Sequence, residues 1–519
     1  MNNKIIKNTV ILMMVTMLGK MLGFAREIIL ASIYGATNYS DAYLVALNIP
    51  TIMTSIIGSA LATTFIPMYF DIQNSKGSKL SLKFSNNVFN IAILISFVMC
   101  ILGIVFAKEV VKVFAFGFKD ETYKLTVNFT RIMMIGVIFI VCSSVMTCFL
   151  QVKNNFTIPG IINIPYNIII ILAMIISTKK GIYVMIWGTL IGIISQFIIQ
   201  LPFAYKKGYI YSPYINLKDD NVYKMIKLVF PVLIGTAAYQ INSIVDKTLA
   251  STLTNGSISA LNYANRLNGF VIGLFITTIV SVLYPEFSKI SSKNKSDEFK
   301  KLIIKSINII IILIVPISIG AIVFAKPIVS LLFERGAFGV EATKMTSTAL
   351  VYYSIGMVGA GLYTLLGKIF YALKDTQTPM KNGVICVVLN IILNFLLVNK
   401  MGYAGLAFGT SIANIISVVL LLRSLYIKIG DFGGIEILKT GIKCFVSAMT
   451  MSFIVLKIYS GLLNFQTISN LISLIISIFF GVIIYFILIY FLKIDEAKLI
   501  LQKISFARFR NRYEDLPRL

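Results

Sequence analysis

The sequence predicts a polytopic all-α membrane protein of about fourteen transmembrane helices, and three observations lead there. Charged residues are 13% of the 519 and hydrophobic ones 57%, with a mean hydropathy of +0.87, whereas a soluble domain carries about 25% charged residues. Apolar runs of about 20 residues, enough for a helix to cross a bilayer, recur from end to end and leave no room for a soluble domain. Lysine and arginine collect in alternate connections: 76–83, 206–227, 289–301, 423–443 and the tail from Lys493 to Arg518. That is the positive-inside pattern, and it predicts both termini in the cytoplasm.

Taken in order, the runs begin near residues 8, 41, 88, 127, 158, 182, 223, 258, 302, 345, 380, 402, 437 and 468. The first follows Lys4 and Lys7 but is too long for a signal peptide, and no small-residue cleavage site follows it, so it reads as an uncleaved span. An even count agrees with both ends lying on one side.

An internal repeat at an offset of about 220 residues organises the runs. "FAFGF" from Phe114 returns as "FERGAF" from Phe333, and "GIYVMIWGTLIG" from Gly181 as "GYAGLAFGTSIA" from Gly402. Pro67 matches Pro285, Asn90 matches Asn308 and Pro159 matches Pro379. Six spans per repeat give two halves in parallel orientation, related by an axis along the membrane normal, an arrangement that encloses a cavity open to one side at a time. The expected organisation is 1–215 for the first six-helix repeat, 216–428 for the second, 429–493 for two extra helices and 494–519 for a basic tail.

Several chemistries are excluded or unsupported. Histidine is absent, which removes the commonest general base and metal ligand. The five cysteines (Cys100, Cys142, Cys148, Cys386, Cys444) lie in apolar runs without metal-ligand spacing and read as packing residues. No phosphate-binding loop, nucleophile elbow or zinc-protease motif occurs, so the chain reads as a non-enzyme driven by a gradient or potential. The net charge of +26 is spread in the positive-inside pattern, which argues against nucleic acid and for contact with membrane lipids.

The charges inside apolar runs need a reason, because a mid-bilayer charge costs roughly 2.5–3.5 kcal/mol even on the lenient insertion scale. "MLGKMLGFARE" puts Lys20, Arg26 and Glu27 in the first span, and at the repeat offset Arg26 falls opposite Asp246. Two readings stay open for Arg26 and Asp246: facing groups across a cavity, or an ion pair locking the halves. Arg266 is a second deep arginine, and Asp41 opens the second span, where an N-terminal cap is the alternative reading. Lys368, Lys374 and Asp375 read as an interfacial anchor, Arg131 as a snorkelling residue, and Lys247 as a residue near an aqueous helix end. Lys20, Arg26 and Arg266 outweigh Glu27 and Asp246, so the cavity suits an anion, and the arginine fork suits phosphate.

The motifs "LGFARE" (22–27), "SDAYLVALNIP" (40–50), "FIPMY" (65–69) and "GSISALNYANRL" (256–267) resemble those of a known family, the MurJ/MviN lipid II flippases of the multidrug/oligosaccharidyl-lipid/polysaccharide exporter superfamily. So do "FERGAF" (333–338), "FYALKDTQTP" (370–379) and "GYAGLAFGTSIA" (402–413), in family order over about the first 425 residues. The resemblance implies fourteen helices, the last two forming a groove for a lipid tail. It implies translocation of undecaprenyl-diphosphate-linked glycopeptide, lipid II, from the inner to the outer leaflet by alternating access, in a monomer working beside the cell-wall synthesis machinery. It assigns Arg26 and Arg266 to the diphosphate, with Lys20 where a further arginine often stands and Asp41 as a functional acid, and Glu27 beside Arg26 is read as a second functional acid. It also implies a Na⁺ site at Asp246, Asn390, Asn394 and Thr410, whose oxygens suit a hard cation, against the alternative of hydrogen bonds between helices. Thr54 and Ser59 stand where the family commonly has an arginine and an acid, and Lys20 is a candidate for the missing charge. A flippase for another undecaprenyl-linked glycan, a cation-coupled drug exporter and a non-transporting scaffold remain the alternatives.

Overall fold

The structure is a computed structural model and describes residues 3–292, 296–464, 469–494 and 496, with side chains left undescribed at 3–11, 230–239, 292 and 296. Apart from Ile494 and Glu496, the tail expected over 494–519 lies outside the described residues. Among the described residues every regular element is helical. The long helices are α1 (Asn3–Tyr34), α2 (Asn38–Lys76), α3 (Ser78–Val105), α4 (Asp120–Val152), α5 (Thr157–Lys180), α6 (Tyr183–Lys206) and α7 (Asp220–Ser251). They continue as α8 (Ser257–Ser291), α9 (Asp297–Val323), α10 (the pair Val340–Ile355 and Met357–Ala372), α11 (Gln377–Met401), α12 (Tyr403–Ile429), α13 (Gly434–Leu463) and α14 (Asn470–Phe491).

Among the described residues, eleven helices are long and apolar enough to cross a bilayer, or twelve with the two parts of α10 taken as one span bent by 45°. The expected count of about fourteen also includes α1 and α7, each 32 residues, about 48 Å at 1.5 Å per residue and so long enough to cross. The bend in α10 has a local cause. Gly356 N–H donates to Ser411 Oγ at 3.1 Å, and that hydroxyl donates to Tyr352 O at 2.6 Å, so α12 satisfies backbone groups released at the break.

The chain separates into two compact units, Met1–Ala260 with Phe333–Ala342, and Leu261–Leu332 with Thr343–Leu519. The first is packed around Phe65, Tyr69, Phe84, Phe89 and Phe149. The second is packed around Ile303, Ile307, Leu365, Phe370 and Leu421, and the last two helices belong to it through Cys444, Ala448 and Tyr485. Tyr485 donates to Ile312 O at 2.9 Å, tying α14 to α9. Outside these cores the surface is apolar, with Phe395, Leu396, Phe453, Phe479 and Phe491 more than half exposed. A water-soluble monomer does not sustain that much exposed apolar surface; a bilayer covers it at no cost.

Candidate functional site

The first unit buries two opposite charges side by side. Arg26 is 8% exposed and Glu27 2%, with Arg26 Nη2 2.9 Å from Glu27 Oε1. The guanidinium lies 5.6 Å from the centre of the Tyr166 ring on α5. Gly19 and Gly23 on α1 face α5, whose Asn167 amide donates to Gly19 O at 3.4 Å and Asn163 O at 2.7 Å. Tyr43 and Thr189 add a hydroxyl pair at 3.1 Å. Pairing and the aromatic face lower the cost of holding Arg26 charged away from water. Lys20, on the same helix, is exposed instead.

Asp41 does not cap its own helix. Thr37 precedes α2 and its N–H is taken by Ser40 Oγ at 3.0 Å. The Asp41 carboxylate is buried and accepts from Gly256 N–H and Ser259 N–H, each at 2.7 Å, and from the Ser259 hydroxyl. It therefore caps the first turn of α8, 218 residues away, where free N–H groups and the helix dipole favour a negative charge. The Ser40 and Ser259 hydroxyls are 2.9 Å apart.

Two loops flank this cap, each docked on a helix end by a backbone N–H and a closely approaching glycine. In "FAFGF", Gly117 N–H donates to Ser251 Oγ at 2.9 Å, and Val113 O, just before the motif, accepts from Thr248 Oγ1 at 2.7 Å, which docks the loop on the end of α7. In "FERGAF", Ala337 N–H donates to Ser32 O at 2.8 Å, docking that loop on the end of α1. A Cβ at Gly117 would stand 2.3 Å from Ser251 O and one at Gly336 2.2 Å from Ser32 O, so neither approach admits a side chain. These connections all follow odd-numbered helices and lie on the face opposite the one where α1 begins. Together with Asp41 they form a latch, which the sequence marked only as a repeated motif.

Arg266 is an exposed residue of α8 and belongs to the second unit, and Asp246 is half-buried on α7 in the first. The structure brings Asn390, Asn394 and Thr410 together: Asn390 Nδ2 donates to Thr410 Oγ1 at 3.2 Å and Asn394 Nδ2 to Asn390 Oδ1 at 3.0 Å. Thr54 is buried and its hydroxyl closes on Pro50 O at 2.7 Å, so that position supplies a neutral, locally satisfied group. Ser59 is half-buried and bonds to Ile56 O at 3.0 Å.

Long apolar helices, with a buried ion pair in the first of them and capped helix ends, define a multi-pass membrane protein. A multidrug-resistance MATE family transporter of the MOP superfamily, inward-facing, shares the fold, with a TM-score of 0.70, 11% identity, and 82% of this chain and 99% of that one covered. A structure of lipid II flippase MurJ in an inward closed conformation has a TM-score of 0.80 and 28% identity, covering 92% of this chain and 98% of the other. The probable lipid II flippase MurJ of Buchnera aphidicola subsp. Schizaphis graminum is 32% identical over 430 residues, 82% of this chain and 84% of that protein. The family model for lipid II flippase MurJ matches residues 30–492. The chain belongs to the MurJ lipid II flippase family.

Proposed function

We propose that this protein moves lipid II from the inner to the outer leaflet by alternating access. The observation that carries this reading is the family match over residues 30–492, on a chain whose first helix holds a buried arginine. A diphosphate headgroup crossing an apolar medium needs counter-charge throughout, and Arg26 and Arg266, with Lys20, are the residues we assign to it. The proposal includes both termini in the cytoplasm and a monomer acting beside the cell-wall synthesis machinery.

Na⁺ coupling is part of the same proposal. Asn390, Asn394 and Thr410 offer amide and hydroxyl oxygens, donors that suit a hard monovalent cation, and Asp246 is the carboxylate whose substitution tests coupling. Neutral Thr54 favours one second reading, a related undecaprenyl-diphosphate-linked glycan as cargo.

Complementation tests the assignment: the host's lipid II flippase is depleted and this protein is expressed in its place. The expected result is rescue by the parent and none by Arg26→Ala or Arg266→Ala at equal membrane abundance. A well-inserted parent that fails to rescue transfers the assignment to the second reading.

A further inference from the structure

The segment joining α6 to α7 is held in an unusual way. Three buried asparagines of α3 bind its backbone through six hydrogen bonds. Asn86 Nδ2 donates to Ile210 O at 2.8 Å, and its Oδ1 accepts from Ser212 N–H at 3.3 Å. Asn87 exchanges both bonds with Asn216, at 2.9 and 2.7 Å. Asn90 Nδ2 donates to Ser212 O at 2.8 Å and Tyr214 O at 3.0 Å. A segment without regular structure normally relies on water for these groups. Here side chains supply the partners, so the segment tolerates a position where water is scarce.

What the segment turns outward has a consistent chemistry. Ile210, Tyr211, Ile215 and Leu217 are 69%, 48%, 52% and 62% exposed. Lys206, Lys207, Lys218, Lys224 and Lys227 are exposed around them, against only Asp219 and Asp220. Asp219 is engaged within the turn, accepting Asn221 N–H at 2.8 Å as the cap of α7. Lys83, on α3, lies 4.2 Å over the Tyr214 ring, adding another cation beside the strap. Aliphatic, tyrosine and lysine side chains at the ends of membrane helices are the composition of a bilayer interface, and clustered lysines attract acidic headgroups. The segment follows six crossings and so lies on the face where α1 begins.

We propose that residues 205–227 form a membrane-surface anchor that seats its apolar side chains among lipids and binds anionic phospholipid headgroups through its lysines. The anchor fixes the connection between the two sequence repeats to the membrane surface. It does not depend on which lipid-linked cargo the protein carries.

The chain has one tryptophan, Trp187, so a Trp187→Phe, Ile215→Trp double variant reports on the strap alone. It is reconstituted in phosphatidylcholine bilayers containing either brominated phosphatidylglycerol or brominated phosphatidylcholine at equal fraction. Stronger quenching by the brominated phosphatidylglycerol is expected, and Lys207→Gln should lower that preference about fivefold, the factor for one lysine near a charged surface. Equal quenching by both lipids overturns the headgroup recognition, and no quenching by either overturns the anchor altogether, leaving water or a protein partner as the occupant. The unaltered protein supplies a second measurement that needs no mutation: acetylation of Lys206, Lys207 and Lys218 should slow when phosphatidylglycerol is added to the bilayer. Unchanged reactivity there overturns the proposal independently of how the variants fold.

Discussion

Asp41 and Ser259, 218 residues apart in the chain, share two hydrogen bonds, one from the Ser259 N–H at 2.7 Å and one from its hydroxyl. An acid at the start of one helix thereby closes the start of another. Asp41→Ala strips these bonds and the one from Gly256, and should cost about 2 kcal/mol, the upper end for a helix cap. Asp41→Asn keeps one amide oxygen as an acceptor and should cost less. Thermal unfolding of the purified protein orders the two variants, and an alanine variant as stable as the parent would show that the cap contributes nothing.

Gly117→Ala and Gly336→Ala should each lift a loop from the helix end beneath it, because the new Cβ would meet a carbonyl oxygen at 2.3 or 2.2 Å. Gly336 carries the further strain of φ +61°. Gly269→Ala is the control, a helical glycine with open space around its Cβ, where alanine should be neutral or stabilising. Hydrogen exchange over 32–35 and 248–252 is the measurement: faster exchange in the first two variants and not the third is expected.

Arg26→Ala removes the charge 2.9 Å from buried Glu27, a change of the kind that costs roughly 3–5 kcal/mol. Arg26→Ala with Glu27→Ala should recover much of that stability but none of the complementation. Recovery of both would make the pair purely structural.

Asp375 has a pH signature outside the spans. The Lys428 ammonium at 2.6 Å, then the Thr378 N–H at 3.0 Å, hold its carboxyl down to about 2. A lowered carboxylate stabilises the fold above its unfolded value near 4 and loses that contribution as pH falls toward 2. Unfolding midpoints measured between about pH 4 and 2 should therefore fall more steeply in the parent than in Asp375→Asn. The effect is small because Lys428 is 39% exposed and water screens the pair.

Asn87→Ala removes both bonds to Asn216 and leaves backbone groups of the strap without their partners, at about 1–3 kcal/mol. Limited proteolysis should then cut within 210–217 faster than in the parent. An unchanged cleavage rate would mean that Asn86 and Asn90 hold the strap alone.

Helix class and approximate span positions were legible in the sequence because a bilayer imposes them locally: each span must satisfy its own backbone polar groups, so length and hydropathy suffice to find it, while the family was legible only through its motifs. The charges of α1 were equally visible, since an ionised residue in an apolar run stands out by itself. Partners were not. That Arg26 rests against the Tyr166 ring, that Asp41 caps α8 rather than α2, and that Asn86, Asn87 and Asn90 clamp a strap more than a hundred residues away are facts of tertiary packing. A helix end or an extended segment displays the same unpaired groups wherever it lies, and the sequence carries no record of which distant side chain will meet them. Only the folded chain decides that, because the choice depends on which helices come within hydrogen-bonding distance of one another.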